Sequence, residues 1–150
     1  MAKIDSQQTE LIGAAILTAS LVADGIEIAK PARDDGVDLL AYDLNTTALV
    51  PIQLKASTRT AFTLDTKYAA TPDLRLVYVW NVSDPGAAQI YCLTYVEAFS
   101  VAAEMGWTST PTWSARGRYA TTRPSAKTHE LLAPYRVAAG EWPARLGRSG

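Results

Sequence analysis

The first long apolar stretch of the chain has the period of a helix. Ile12, Ala15, Ile16, Ala19 and Ala23 recur at the three- and four-residue spacing of one helix face. Asp5 or Ser6 can cap the start of this helix, and Gly25 follows its end. The pattern therefore predicts a mostly buried helix over residues 6–24.

The next segments have the two-residue period of strands. Residues 26–32 alternate and predict a first strand. Residues 36–44 predict a second and 50–57 a third, and the polar segment 45–48 between them favours a hairpin turn. A loop centred on this segment sets Asp38 opposite Lys55 and Leu40 opposite Gln53. Directly paired residues share a face of the sheet, so Asp38, Gln53 and Lys55 are expected on one side.

The second half of the chain predicts two further strands and one more clear helix. Residues 57–71 are polar and threonine-rich, which predicts a long loop or a weak helical turn. Residues 74–82 predict a central strand and 89–93 a fifth. Thr94 and Glu97 predict a capping box for a helix that ends near Gly106. From 107 onward only a short helix capped by Ser125 is expected.

This order predicts an α/β sandwich in which helices flank a mixed β-sheet, α-β-β-β-β-β-α, followed by an irregular basic segment. A chain of 150 residues with 48% hydrophobic and 19% charged content is typical of one globular domain. We expect a single domain over 1–150, with a core at about 6–106 and a C-terminal extension at 107–150.

The cysteine count, the apolar runs and the charge distribution indicate the compartment and the partners to expect. The single cysteine, Cys92, cannot form an intramolecular disulfide and is expected in a buried strand. The first eight residues are polar, and the apolar run 11–23 is too short to cross a bilayer, so a cytoplasmic location without a membrane partner is expected. Residues 101–150 carry 7 Lys/Arg against 3 Asp/Glu, which suits an anionic partner or an ordinary solvated surface equally.

Three acids compete with Asp38 for a functional role. Asp34 and Asp35 fit a solvated turn, whereas Asp43 lies on the opposite strand face from Asp38. Glu10 lies on the helix line of Ala14, so its side chain is expected to head inward. A carboxylate that favours the dipole of the first helical turn is the alternative for Glu10.

Glu10 on a helix, Asp38 at a strand start and Gln53-Leu54-Lys55 on the next strand resemble the PD-(D/E)XK nuclease superfamily. The similarity is greatest to archaeal Holliday junction resolvases and small homing endonucleases, and it covers roughly residues 6–95. Two positions depart from the motif. Val37 stands where the motif has proline, and Gln53 stands where it has Asp or Glu.

The resemblance implies an Mg²⁺- or Mn²⁺-dependent endonuclease that hydrolyses DNA phosphodiester bonds, at a defined duplex site or at a junction. It implies that Glu10, Asp38, the Gln53 side chain and the Leu54 backbone carbonyl are metal ligands. It implies that Lys55 positions the attacking water or neutralises charge on the phosphate. One active site per domain implies a homodimer or larger assembly for cutting both strands.

Basic residues outside this motif are candidates for DNA contact. Lys30, Ser57, Arg59 and Lys67 lie near the hairpin or in the loop after it. Arg116, Arg118, Arg123 and Lys127 are interleaved with Trp113 and Tyr119, a pattern that suits phosphate binding and base stacking. Ordinary surface charge, or a turn serine at Ser57, explains them equally well.

Two other functions remain open at this point. The neutral Gln53 lowers the charge of the expected metal site, so a weakened or inactive nuclease fold that serves as a DNA-binding or assembly module is one alternative. A nuclease-type toxin or defence component is the other. The only histidine, His129, is expected on a surface helix, which argues against a zinc site or a histidine relay.

Overall fold

Residues 3–33 and 35–147 of the computed structural model form a mixed five-stranded sheet with helices on both of its faces. The helices are α1 (Ser6–Ala23), α2 (Tyr95–Glu104), α3 (Pro111–Arg116), α4 (Ala126–Leu132) and α5 (Trp142–Leu146). The strands are β1 (Ile26–Ala29), β2 (Leu39–Asp43), β3 (Leu49–Ala56), β4 (Phe62–Asp65), β5 (Arg75–Trp80), β6 (Gln89–Thr94) and β7 (Arg118–Thr121). The predicted α/β class with a mixed sheet is confirmed. Asp34, expected in a solvated turn, lies outside the described residues.

The order of strands in the main sheet is β1-β2-β3-β5-β6. The first three form an antiparallel meander, β5 runs parallel to β3, and β6 runs antiparallel to β5. A parallel pair needs a crossover connection, and residues 57–74 supply it. This segment was expected to be a loop or a weak helical turn. It instead holds β4 and the 3₁₀ turn Thr66–Ala70, and β4 pairs with β7 in a separate two-stranded sheet.

The register of β2 against β3 differs by two residues from the predicted one. Leu39 pairs with Ile52 and Leu40 with Pro51. The Asp38 N–H also donates to the Ile52 carbonyl, so Asp38 and Leu39 both lie opposite Ile52, as in a β-bulge, and Asp38 is not opposite Lys55. The turn explains the shift. The Asp43 N–H donates to the Ala48 carbonyl at 3.0 Å, which places the loop at residues 44–47. A two-residue shift keeps the paired side chains on their faces, so Gln53 and Lys55 stay on one side of the sheet. The alternation breaks at Asp38, because Val37 packs with the core on one face and Leu39 with the core on the other.

The buried face of α1 agrees only in part with the predicted stripe. Thr9, Gly13, Leu17 and Leu21 are buried, and Ile12 and Ile16 of the stripe are half-buried against the core, whereas the alanines at 15, 19 and 23 are exposed. The reason is a close approach of helix and sheet. A Cβ on Gly13 would lie 2.5 Å from the Ala56 Cβ, so the close contact between α1 and β3 requires a glycine at this position. The helix begins as expected, with Asp5 in a capping box with Gln8.

The segment after residue 106 is not irregular. It contains α3, β7, α4 and α5, and its side chains enter both cores. Trp142 and Leu146 pack with α1 on one face of the sheet, while Trp107 and Leu132 pack on the other face. The Asp24 carboxylate holds α5 in place by accepting hydrogen bonds from the backbone N–H groups of Gly140 (2.8 Å) and Trp142 (3.1 Å). The segment therefore completes the core.

Several local predictions are confirmed. Thr94 and Glu97 form the expected capping box of α2, and Ser125 caps α4. Cys92 is buried in β6. Within the described residues, no helix has both the length and the apolar character needed to span a bilayer.

Candidate active site

A cleft of about 710 Å³ lies between α1, the start of β2, the end of β3, and the β4 segment with the 3₁₀ turn after it. Its walls bring together most of the residues singled out from the sequence. These are Glu10, Lys30, Asp38, Gln53, Leu54, Lys55, Ser57 and Lys67. The cleft is therefore the place where the predicted motif would act.

Asp38 is fixed by the backbone of the neighbouring strand. Its N–H donates to the Ile52 carbonyl at 2.8 Å, and its Oδ2 accepts the Leu54 N–H at 2.7 Å. The carboxylate thus takes the place of the next backbone partner, just where β2 begins. A carboxylate anchored by a backbone donor keeps one orientation, which is what a metal ligand or a phosphate-facing group requires.

The Leu54 carbonyl points toward the same open end of β2. In a β-ladder the N–H and C=O of one residue face the same neighbouring strand. Because the Leu54 N–H meets Asp38, its carbonyl also faces the gap beyond the first residue of β2. The Gln53 Nε2 reaches this oxygen at 3.5 Å, the outer limit of a hydrogen bond. The main-chain oxygen therefore has room for a second partner.

Gln53 carries the most informative atom of the cleft. Its Oε1 is buried and has no hydrogen-bond partner among the described residues. A buried acceptor left without a partner costs about 1–3 kcal/mol, and native proteins hold few of them. A donor or a cation at this point would remove that cost. The amide oxygen is thus open to a hydrogen-bond donor, such as water, or to a cation.

The donor set suits a hard divalent cation. Asp38 offers a carboxylate, Gln53 an amide oxygen and Leu54 a main-chain carbonyl, and all three are the oxygen ligands that Mg²⁺ and Mn²⁺ prefer. Glu10 adds a second carboxylate on the cleft wall. The residues present therefore fit a divalent metal, with two charged and two neutral ligand groups.

The placement of Glu10 differs from the expectation. Its side chain is exposed at the cleft and does not head into the core. It belongs to α1, which packs on the sheet face opposite to the side chain of Gln53, and it lines the same cleft as Asp38 and Gln53. In the part of the chain that the structure describes, no three Asp, Glu, His or Cys side chains group closely enough to hold a metal.

The cleft has a net positive lining. Lys30, Lys55 and Lys67 outnumber the carboxylates of Glu10 and Asp38 among its lining residues. The ammonium groups of Lys55 and Lys67 lie 5.1 Å and 5.2 Å from the centroid of the Tyr68 ring. Positive charge that lines a concave surface attracts polyanions, and a bound divalent cation would add to it.

Sequence reasoning missed several side chains of the cleft. Tyr68, Thr63 and Tyr78 line it, and the Tyr78 hydroxyl donates to the Thr63 carbonyl at 2.6 Å. Burial raises the pKa of Tyr78, and nearby Tyr68 raises it further, so the phenol stays neutral. The alternation of Phe62 and Leu64 was the available sign that this segment is a strand.

Five predicted contacts lie outside the cleft lining: Arg59, Arg116, Arg118, Arg123 and Lys127. All five are exposed. Ser57 does line the cleft, but its hydroxyl donates to the Arg59 carbonyl at 3.0 Å, as expected of a turn serine.

The aromatic residues of the basic C-terminal cluster pack inside the protein. The Tyr119 ring lies 4.6 Å from the Trp107 ring, and the Trp113 ring lies 6.0 Å from the Phe99 ring. Both Trp113 and Tyr119 are half-buried. Their packing stabilises the fold, and little of either ring is open to a nucleobase.

Comparison of the chain with protein-family models, with curated proteins and with solved structures finds no match. The chemistry of the cleft is therefore the ground on which a function rests.

Proposed function

We propose that this protein is a metal-dependent endonuclease that hydrolyses phosphodiester bonds in DNA. The observation that carries the proposal is the buried, unpartnered Oε1 of Gln53 beside the anchored carboxylate of Asp38. Lys55 follows two residues later on the same strand face. An acid, an oxygen ligand and an amine in this arrangement suit a metal and a phosphate at one point.

Asp38, Gln53 and the Leu54 carbonyl would hold Mg²⁺ or Mn²⁺, with Glu10 as a direct or water-mediated fourth group. When bound, such an ion lowers the pKa of a coordinated water and stabilises negative charge on the phosphate. The side chains of the protein orient the bound groups and neutralise negative charge on the phosphate. Lys55 presents its ammonium group to the reacting phosphate or to the attacking water.

The proposal includes the finer fold that the sequence suggested, and the strand directions support it. An antiparallel meander followed by a strand parallel to its third member is compatible with a restriction-endonuclease-like sheet. In this sheet the open end of β2 exposes Asp38 and Leu54 together. The proposal includes that arrangement. It also includes a homodimer or larger assembly, because one site per chain cuts one strand at a time.

The test is a cleavage assay with supercoiled plasmid and a four-way junction in Mg²⁺ and in Mn²⁺. We expect cleavage by the native protein and a loss of about 10²- to 10³-fold in Lys55→Ala and in Asp38→Asn. Lys3→Ala is the matched control, since this exposed lysine does not line the cleft. Absence of cleavage in both metals, or full activity in both cleft variants, would refute the proposal.

A second candidate is a DNA-binding or assembly module with a weakened metal site. The neutral amide at Gln53 favours it, as does the lack of a three-acid group within the described residues. Calorimetric titration with Mn²⁺ separates the two candidates. The enzyme should bind Mn²⁺ and lose affinity in Asp38→Asn, whereas a module without metal should show a gel shift with DNA and no heat of Mn²⁺ binding.

A further inference from the structure

Two lysines of the cleft share one aromatic ring. The Nζ atoms of Lys55 and Lys67 lie 5.1 Å and 5.2 Å from the Tyr68 centroid, inside the range of a cation–π interaction. The two ammonium groups are therefore within about 10 Å of each other. One lysine comes from β3 and the other from the turn after β4, so the ring joins two separate parts of the cleft.

The fold holds Tyr68 firmly. The Asp65 carboxylate accepts the Lys67 N–H at 2.9 Å and thus caps the 3₁₀ turn that carries the ring. The Thr66 N–H donates to the Gly117 carbonyl at 2.8 Å, which ties the turn to the start of β7. Tyr68 itself is only 5% exposed and packs with the core on that face of the sheet. The Tyr68 ring therefore keeps one position, and the flexible side chains of Lys55 and Lys67 pack against it.

Two neighbouring ammonium groups repel each other, but together they can bind one anion. At separations of up to about 10 Å, close to one Debye length at physiological salt, part of this repulsion between like charges survives screening. The electron-rich ring face offsets part of the repulsion by about 0.5–1 kcal/mol for each partly exposed cation. An anion that contacts both groups would offset the rest. A stretch of phosphate backbone is such an anion.

We infer that Tyr68 is a positioning residue that holds Lys55 and Lys67 in the cleft so that both ammonium groups meet the phosphate backbone of the substrate. The inference rests on the proposed nuclease function for the identity of the anion. The position of the lysines on the ring does not depend on it. Tyr68 touches no reacting atom and acts only through the two lysines.

The first measurement concerns the lysines in the protein without DNA. Protons beside an aromatic ring show upfield ring-current shifts, so the ε-methylene resonances of Lys55 and Lys67 should be shifted in ¹H–¹³C NMR spectra. The shifts should remain in Tyr68→Phe and vanish in Tyr68→Leu. Unshifted lysine resonances in the folded native protein would overturn the inference, whatever the protein does to DNA.

The second measurement is the affinity for a short blunt DNA duplex in EDTA, as a function of salt. Tyr68→Phe and a trifluorinated phenylalanine at position 68 have nearly the same shape, but the fluorinated ring attracts cations weakly. Relative to Tyr68→Phe, the fluorinated variant should bind about 2- to 5-fold more weakly with the same salt slope. Lys67→Gln should lower the slope by about 0.9 because one phosphate contact is lost.

The outcomes separate the two proposals. Equal binding by the fluorinated and Tyr68→Phe variants would overturn the positioning role even if the protein cuts DNA. Shifted lysine resonances with the expected 2- to 5-fold difference in binding, in a protein that cuts neither test DNA, would support the positioning role and refute the nuclease alone. The fluorinated variant keeps the packing of the buried ring, so this comparison holds even if Tyr68→Leu fails to fold.

Discussion

Replacement of Gln53 by Glu tests the metal site at its most informative atom. Gln53 and Asp38 line the same cleft, and the Asp38 carboxylate accepts the N–H of Leu54, the residue next to Gln53. Gln53→Glu therefore places another carboxylate near that of Asp38. The native amide instead leaves its Oε1 buried and unpartnered. Gln53→Glu should therefore gain more stability from a bound metal ion than the native protein does.

The magnitude follows from Coulomb's law. Two unit charges roughly 5–8 Å apart, the range for direct and diagonal neighbours on adjacent strands, repel by roughly 2–3 kcal/mol at an effective dielectric of 20. Asp38 and Gln53 are both half-buried beside an open cleft, so solvent screening reduces this to about 1–2 kcal/mol. For a chain of this length, 1 kcal/mol corresponds to about 2–4 °C in melting temperature. Without metal, Gln53→Glu should melt roughly 2–8 °C below the native protein.

A bound divalent cation should reverse the order. A ligand at 100 times its dissociation constant stabilises the folded state by about 2.7 kcal/mol, and a third carboxylate tightens metal binding. Thermal melts in EDTA and in excess Mn²⁺ measure both effects. Gln53→Met removes the amide, so it should be as stable as the native protein or up to about 1–3 kcal/mol more stable without metal, and it should gain the least from Mn²⁺.

Gln89→Glu is the matched control for added charge. Gln89 is a half-buried strand glutamine on β6, whose Oε1 accepts the Tyr91 hydroxyl, and it does not line the cleft. Its response to Mn²⁺ should equal that of the native protein. An equal gain from Mn²⁺ in the native, Gln53→Glu and Gln53→Met proteins would show that Oε1 is not a ligand, and the metal site as described would be wrong.

Three further predictions concern the frame of the cleft. Gly13→Ala should lower the free energy of unfolding by about 1–3 kcal/mol in urea despite the better helix propensity of alanine, because the new Cβ meets Ala56; adding Ala56→Gly should restore most of the loss. Burial raises the pKa of Tyr78, so the unfolded chain ionises first and stability should fall above pH 10 by up to about 1.4 kcal/mol per pH unit; a native slope unchanged in Tyr78→Phe would contradict this. Asp24→Ala should cost about 2–4 kcal/mol and expose the segment around Trp142 to limited proteolysis, and a resistant variant would show that the carboxylate does not hold α5.

Local interactions were predictable because their partners are close in sequence. Capping boxes use residues three apart, so the starts of α1 at Asp5 and of α2 at Thr94 follow from the sequence. Strand alternation places side chains by parity alone. For this reason Gln53 and Lys55 share a face although the predicted register was wrong by two residues.

The register was wrong because the turn is specific in its backbone conformation. Asp43 accepts hydrogen bonds from the backbone of both Asn45 and Thr47, and Thr47 adopts a left-handed conformation with φ of 60°. Threonine rarely takes this conformation, so residue type favoured a turn without locating it. Only the closed hairpin shows which residues pair.

Features that depend on contacts between distant segments could not be predicted from the sequence. An apolar helix without one clear polar face does not show which side meets the sheet, and the close approach of Gly13 to Ala56 decided it. The strand β4 exists because β7, more than fifty residues later, pairs with it; the Thr63 hydroxyl bonds to the Tyr119 carbonyl across that distance. That pairing carries Tyr68 to the cleft.

The sequence by itself thus determined the α/β class, the helix starts and the shared face of Gln53 and Lys55, since each depends on neighbours along the chain. Tertiary structure decided the register, the buried side of α1 and the turn that brings Lys67 beside Lys55. These features depend on how surfaces far apart in sequence fit together, and their shapes do not exist until both segments are in place.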